Sequence, residues 1–215
     1  MTIKRDIGRR RGCPRRAQRN RSRIACPRQD RFGDYDLTQH PATGRYTFRK
    51  AEAADLGLLL EWQSRPHVRE WWDSDEPGDE EELADPRVAR WIVSTAGRPF
   101  AYMQDYTVHG WEDHHFFRLP EGSRGVDQFI GEPDMIEKGH GSAFIAERLK
   151  TLFEEGAPVV ATDPHPANAR AIAAYKRAGF SEFGAPQETR WGLVLPMQVC
   201  RQASTDPRAR ADTTV

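Results

Sequence analysis

The feature that most constrains this chain is a loop with two glycines that runs directly into an amphipathic helix. Gly139 and Gly141 follow Lys138, and apolar residues then recur at spacings of three and four. These apolar residues are Phe144, Ile145, Leu149, Leu152 and Phe153. The start of a helix offers unpaired backbone N–H groups and the positive end of the helix dipole, so a loop without β-carbons can hold a phosphate there. The loop alone fits equally a tight turn before an ordinary core helix, because short glycine motifs are common.

Strands and helices on both sides of this loop predict an α/β (α+β) fold with a mixed central sheet and flanking helices. A strand over residues 124–131 leads into the loop, and a buried type of strand over 158–162 follows the helix. A second helix should start after the N-cap Asn168 and end at Gly179. The other predicted elements are strands over 45–50, 180–184 and 190–199, helices over 52–63 and 67–72, and a hairpin over 90–108. This order gives a sheet with one central crossover.

Charge divides the chain into a basic arm and an acidic body. Residues 1–31 hold twelve lysines and arginines against two aspartates, while the whole chain has a net charge of +0. A basic arm can bind nucleic acid or anionic lipid, but this one has almost no apolar residues and no aromatic residue before Phe32. We predict a disordered Arg-rich extension and linker over 1–44, a folded domain over 45–200 and a disordered tail over 201–215. Nucleic acid is not an expected partner.

Cysteine usage and hydropathy indicate a reduced, cytoplasmic protein. Cys13, Cys26 and Cys200 are odd in number and widely spaced, without the close pairs of a zinc site. No apolar run approaches the roughly 18 residues of a membrane span, so no membrane contact is predicted. The segment 109–122 is rich in His, Asp and aromatic residues, but it lacks the spacing of metal ligands, and no metal is predicted.

Two adjacent tryptophans, Trp71 and Trp72, stand before an acidic stretch that begins at Asp73. The stretch is too polar for a core and too aromatic for a plain linker. It fits a solvated loop anchored by one buried tryptophan, and it also fits a loop that faces a ligand.

Three signals in register resemble the acyl-CoA-binding half of the GNAT N-acetyltransferase family. They are the loop Gly139-His140-Gly141 after a strand, a second strand beyond the helix, and the pattern Asn168, Ala171, Tyr175, Gly179, Phe180. The resemblance implies a GNAT fold in which two neighbouring strands splay apart around acetyl-CoA, with the pyrophosphate on the glycine loop. The implied cofactor-binding residues are Gln128, Phe129, Ile130, Lys138, Gly139, His140, Gly141, Ser142, Ala143, Asn168 and Ala171. Ile136 stands where the family usually has Arg or Gln.

A finer resemblance, spread over the whole domain, is to the aminoglycoside 6'-N-acetyltransferases. It rests on Glu61-Trp62, His67-Val68, Glu70-Trp71-Trp72, Tyr102-x-Gln104, Arg124 to Gln128, Thr162-Asp163-Pro164 and Tyr175 to Phe180. The resemblance implies Asp127 as the general base for the amine and Tyr175 as the acid for the departing thiolate. The implied substrate-binding residues are Trp71, Trp72, Asp73, Tyr102, Gln104, Asp113 and Asp163. Trp191 stands near a position where some of these enzymes have another carboxylate.

The chemistry of amine acetylation asks for the same types of residue. An ammonium group cannot attack a thioester until it loses a proton, and a carboxylate both attracts the cation and accepts that proton. An acidic pocket with aromatic walls would also attract a polycationic aminosugar. Each residue has a structural alternative: Asp127 could pair with Arg124, Asp163 could be a turn residue before Pro164, and Tyr175 could be a core aromatic.

Other functions remain as alternatives to the acetylation of the 6'-amine of aminoglycoside antibiotics. The nearest is an acyltransferase for a hydroxylysine-type precursor in siderophore assembly; such enzymes resemble this chain around the double tryptophan but usually have His where Asp127 stands. Acetylation of protein N-termini or lysines would need an open peptide groove, and a nucleic-acid-binding protein would use the Arg-rich arm. The expected partner is therefore a small-molecule amine, and the protein is expected to be a monomer or homodimer.

Overall fold

The computed structural model describes residues 34–35, 44–72 and 80–201. Asp73, most of the predicted extension over 1–44 and the tail from residue 202 lie outside this part, so their predicted disorder stays a prediction. Within the predicted linker, Asp34–Tyr35 forms a short strand, β1.

The described chain contains strands, α-helices and a few single 3-10 turns. The strands after β1 are β2 (Tyr46–Lys50), β3 (Val88–Thr95), β4 (Arg98–Thr107), β5 (Arg124–Ile130), β6 (Val159–Thr162), β7 (Ser181–Glu182), β8 (Gln187–Thr189), β9 (Gly192–Val194) and β10 (Met197–Arg201). The helices are α1 (Leu56–Ser64), α2 (Pro66–Arg69), α3 (Glu80–Leu83), α4 (His140–Glu154) and α5 (Ala169–Arg177). The predicted loop-to-helix junction, the hairpin and the helix after Asn168 are confirmed.

The main sheet has the strand order β1-β10-β6-β5-β4-β3-β2, and β7 pairs with β10 beside it. Neighbouring strands are antiparallel except at two places, β1 with β10 and β5 with β6. The chain passes from β5 to the parallel strand β6 through α4, and this connection is the predicted central crossover. The mixed sheet with flanking helices is therefore confirmed.

Alternation along the strands divides the sheet into two faces. On one face Met103 and Val126 belong to a core cluster with the buried side of α4, which holds all five apolar residues predicted from the sequence. On the other face Tyr102 and Phe129 pack with Trp62 of α1 and with residues around α2. The helix α4 and the two N-terminal helices α1 and α2 thus cover opposite faces of the sheet.

The parallel strands β5 and β6 separate after two residue pairs. Arg124 lies opposite Val160 and Gly125 opposite Ala161, and the pairing ends there. Gly125 is required at this point because a β-carbon would lie 2.3 Å from the ring of Tyr106. The rest of β5 diverges from β6 and opens a cleft in the sheet, as the GNAT resemblance implies.

The C-terminal part of the chain differs from the sequence prediction. The single strand predicted over 190–199 is wrong, because β9 and β10 are separate strands with Leu195 and Pro196 between them. β9 pairs with β8 in a small hairpin, while β10 joins the main sheet. A proline has no N–H to donate and interrupts a strand ladder.

Cys200 on β10 is disulfide-bonded, so the prediction of reduced cysteines is wrong for this residue. In the parallel pairing of β1 with β10, Asp34 lies opposite Cys200. This pairing brings the N-terminal segment beside a residue that is very distant in sequence, which cysteine spacing alone does not reveal.

Candidate active site

A cavity of about 200 Å³ fills the gap between β5 and β6. Its walls come from β5, the glycine loop, the whole length of α5, the turn after β6 and the segment from α2 to Trp72. Elements that are distant in sequence therefore meet at the point where the sheet opens. Ligand sites in sheets with parallel strands commonly lie at such a point.

The glycine loop forms one end of the cavity. Gly139 is the N-cap of α4 and has a φ of 79°, a left-handed conformation that only glycine adopts without strain. A β-carbon on Gly141 would lie 3.8 Å from Ala174 and 3.9 Å from Ile130, so it would project across the cleft. The start of a fifteen-residue helix therefore faces an open groove with its backbone N–H groups accessible. This arrangement fits a diphosphate.

Ile136, the departure from the family pattern, lines the cavity with an apolar side chain. Two arginines on α5, Arg170 and Arg177, also line the cavity. Lys138 is exposed and does not line the cavity. Positive charge at the cavity therefore comes from α5, in addition to the N-terminus of α4.

Asp127 lies on β5 at the centre of the cavity wall and is 6% exposed. Gln104 stands opposite it on β4 and donates a hydrogen bond from Nε2 to Asp127 Oδ2 over 2.9 Å. Burial raises the pKa of Asp127 to about 6, and the charge of Asp163 raises it as well. Arg124, the alternative partner, instead pairs with Asp105. A carboxyl with this pKa exchanges protons near neutral pH.

Asp163 follows β6 directly and faces the same cavity. His115 Nε2 lies 2.9 Å from Asp163 Oδ2, and their side chains are 11% and 1% exposed. The ring is not aligned for a hydrogen bond, and within the described residues neither atom has another hydrogen-bond partner. Burial raises the pKa of Asp163, while contact with His115 opposes this shift. Asp163 is thus a buried carboxylate with unused acceptor capacity.

Tyr175 lies in the last turn of α5, packs against Phe180 at a ring distance of 5.3 Å and also lines the cavity. The start of α5 is fixed by Asn168, whose side chain accepts a hydrogen bond from the Ala171 N–H. Burial and the charge of Asp127 raise the pKa of Tyr175 above its ordinary value. The phenol is therefore protonated at neutral pH and can act as a proton donor.

The two tryptophans have different surroundings. Trp72 is buried against Phe129 and Tyr102, with ring distances of 4.8 and 5.7 Å, and Trp71 is half-buried near the ring of His165 at 5.7 Å. Both line the cavity. Trp72 is thus the buried anchor predicted from the sequence, and both tryptophans form part of the cavity wall.

Most residues that the sequence singled out meet at this cavity. Those that line it are Trp71, Trp72, Asp127, Gln128, Phe129, Ile130, Gly139, Gly141, Ser142, Asp163, Asn168, Ala171 and Tyr175. Those of the described part that do not line it are Lys138, His140, Ala143, Tyr102, Gln104 and Asp113. His140 turns into the core and contacts the Tyr46 hydroxyl over 2.9 Å. Asp113 is exposed in the loop before β5.

Several residues of the site were not predicted from the sequence. The missed residues include His115 behind Asp163 and the cavity-lining residues Thr162, His165, Arg170 and Arg177. His115 belongs to a His-rich segment that we considered only as a metal site, and its contact with Asp163 spans a separation that no local motif marks. Within the described part of the chain, no group of His, Cys, Asp and Glu has the arrangement of a metal site. In the same residues, no helix combines the length and apolar character needed to cross a bilayer.

Comparisons with known proteins agree with this geometry. The family model of the GNAT acetyltransferase domain matches residues 51–187. Aminoglycoside N(6')-acetyltransferase type 1 of Klebsiella pneumoniae is 32% identical over 181 residues, covering 77% of this chain and 88% of that protein. The crystal structure of aminoglycoside acetyltransferase AAC(6')-Ib with coenzyme A and kanamycin has a TM-score of 0.67 and 31% identity, covering 76% of this chain and 99% of that chain. Another structure of AAC(6')-Ib contains acetyl-CoA, with the same TM-score and 29% identity. The chain belongs to the GNAT acetyltransferase family.

Proposed function

We propose that this protein is an aminoglycoside 6'-N-acetyltransferase that uses acetyl-CoA, with Asp127 as the general base. The observation that carries the proposal is a buried carboxyl with a pKa of about 6 in the gap between β5 and β6, beside the glycine loop. The similar proteins with solved complexes bind coenzyme A or acetyl-CoA together with an aminoglycoside. The 6'-amine would become an amide, and coenzyme A would leave as a thiol.

The glycine loop and α5 would hold acetyl-CoA. The N–H groups at the start of α4 suit the pyrophosphate, and Arg170 and Arg177 can add charge that Ile136 lacks. Beyond Gly125, β5 has no strand pairing with β6, so its edge toward the gap can receive an extended chain. Phosphate groups at one end of the cavity would thereby direct the thioester toward Asp127.

Asp127 would take a proton from the substrate ammonium, which makes the nitrogen lone pair available. The nitrogen then forms a bond to the thioester carbonyl carbon, and the carbon–sulfur bond breaks. Tyr175, protonated and in the same cavity, would give its proton to the departing sulfur and recover one from the new amide nitrogen through solvent. Holding amine and thioester in one cavity supplies a large part of the rate, because the reaction becomes effectively unimolecular.

The cavity also suits a substrate with several ammonium groups. Asp163 offers a second carboxylate beside Asp127, and Trp71 offers a flat apolar surface at the same wall. A second ammonium group of the substrate could pair with Asp163, whose only basic neighbour within 4 Å among the described residues is His115. Asp73 and Asp113 remain proposed contacts of the substrate. We also propose that the protein acts in the cytoplasm, as a monomer or homodimer.

The test is a thiol-release assay with acetyl-CoA and matched amines. Kanamycin-type drugs with a 6'-amine should release coenzyme A, whereas analogues with a 6'-hydroxyl group should not. Lysine and N-hydroxylysine serve as the controls for the siderophore-type alternative. Release with the lysine derivatives alone would contradict the proposed substrate, and silence with every amine would contradict the proposed activity.

A further inference from the structure

Gln104 and Tyr102 form a hydrogen-bonded chain that ends on Asp127. Tyr102 donates its hydroxyl to Gln104 Oε1 over 3.0 Å, and Gln104 donates Nε2 to Asp127 Oδ2 over 2.9 Å. All three side chains are buried, with exposed fractions of 5%, 3% and 6%. Neither Tyr102 nor Gln104 lines the cavity. The hydrogen-bonded chain therefore reaches the carboxyl from outside the residues that line the cavity.

The direction of this chain is fixed by chemistry. A phenol with no charge is a donor toward a carbonyl oxygen, and burial raises the pKa of Tyr102, which keeps its proton in place. Because the Tyr102 hydroxyl occupies the carbonyl oxygen of Gln104, the amide NH₂ is left to face Asp127. Sheet geometry supports the same arrangement, since Gln104 lies directly opposite Asp127 and Tyr102 opposite Phe129.

We propose that Gln104 is a positioning residue for the catalytic carboxyl, and that Tyr102 fixes the orientation of the Gln104 amide. The hydrogen bond holds Oδ2 against β4 and leaves the other oxygen of Asp127 for the substrate ammonium. It also stabilises the ionised carboxylate, and this opposes burial and the charge of Asp163. The base is therefore available at a lower pH than it would be without Gln104. This role differs from the substrate contact that the sequence resemblance implies for both residues, and it rests on the proposed function of Asp127.

The test is the pH profile of kcat/KM for the amine in Gln104→Leu and Tyr102→Phe. Loss of the Gln104 donor disfavours the charged form of Asp127, so the acidic limb should move upward by roughly one pH unit. Activity below the limb should then fall about tenfold, while KM for acetyl-CoA stays near the wild-type value. Tyr102→Phe keeps the ring packing on Phe129 and should move the limb in the same direction by a smaller amount.

The matched control is Gln198→Leu, a buried glutamine on β10 that does not line the cavity. It should leave the acidic limb in place even if it lowers thermal stability. A wild-type limb in Gln104→Leu, or a change in KM for acetyl-CoA alone, would overturn the inference. An unchanged rate in Asp127→Asn would instead refute the proposed base, so the two failures are distinguishable. If both proposals hold, Gln104→Leu should change kcat by less than about twofold in the Asp127→Asn background, because coupled residues are not additive.

Discussion

Asp105 and Asp127 are buried aspartates on neighbouring strands with opposite surroundings. Asp105, on β4, is fully buried and accepts hydrogen bonds from Arg148 and from the Trp91 indole, and it also pairs with Arg124. Asp127, on β5, has one amide donor, lies near a second carboxylate and faces a cavity.

The contrast shows how one side chain can serve stability or chemistry. Asp105 points to the face covered by α4, and its bond to Arg148 ties that helix to the sheet. Asp127 points to the other face, and among the described residues it has no cation as a hydrogen-bond partner. A carboxylate bonded to arginines of other segments ties those segments together, whereas a carboxylate without such partners can exchange protons with a substrate.

The largest expected effect is on turnover in Asp127→Asn. Removal of a general base costs a factor of about 10² to 10⁴ in kcat, because the ammonium keeps its proton. Acetyl-CoA affinity should hardly change, since the N–H groups proposed to hold the pyrophosphate belong to the glycine loop and the start of α4. Steady-state kinetics and calorimetric titration with coenzyme A would measure the two quantities. A near-normal kcat would remove Asp127 from the role of base.

Asp105→Ala should mainly affect stability. The substitution leaves Arg148 buried without its carboxylate, and breaking such a pair costs about 3–5 kcal/mol. The free energy of unfolding from urea titration would measure the loss. The matched control is Asp134→Ala, which breaks an exposed pair with Arg98 and should cost much less stability, because solvent screens such a pair. Equal losses in the two variants would contradict a structural role that is special to Asp105.

The same Asp127→Asn variant should be more stable than the wild type, in contrast to Asp105→Ala. The pKa of Asp127 is raised above its ordinary value, so ionisation destabilises the folded state as pH rises through about 6. Asparagine removes this penalty, and we expect a gain on the order of 2 kcal/mol at pH 8 that vanishes near pH 4. Thermal unfolding at both pH values would measure it. A gain that is independent of pH would contradict the electrostatic cause.

Local patterns in the sequence were sufficient to predict the mixed sheet with its flanking helices, and the motif around the glycine loop was sufficient to single out Asp127. They did not single out Asp105. Spacings of three and four predicted α4, and Asn168 and Gly179 bounded α5 correctly. The resemblance implied Asp127 because a base on the strand before a glycine loop is a local motif. The role of Asp105 has no such mark, since its partner Arg148 is 43 residues away on a helix that looked merely amphipathic.

Contacts between distant segments account for the rest of what the sequence did not reveal. His115 contacts Asp163 from a loop, and Gln104 on β4 contacts Asp127 on the neighbouring strand β5. Each contact depends on the register of the sheet, which a single sequence specifies only weakly. The break between β9 and β10 and the bonded state of Cys200 likewise depend on which segment lies beside the last strand.

The smallest effects should come from the two charged neighbours of Asp127, and they should have opposite signs. The charge of Asp163 raises the pKa of Asp127, whereas that of His115 lowers it. Asp163→Asn should therefore move the acidic limb of kcat to lower pH by a few tenths of a unit, and His115→Gln should move it upward by a similar amount. Asp163→Asn should also raise KM for a drug with several ammonium groups, because one cation loses its carboxylate. Shifts in the same direction would mean that packing around Asp127, rather than charge, controls its proton affinity. The difference between Asp105, which is bonded to arginines, and Asp127, which is not, would then need another physical explanation.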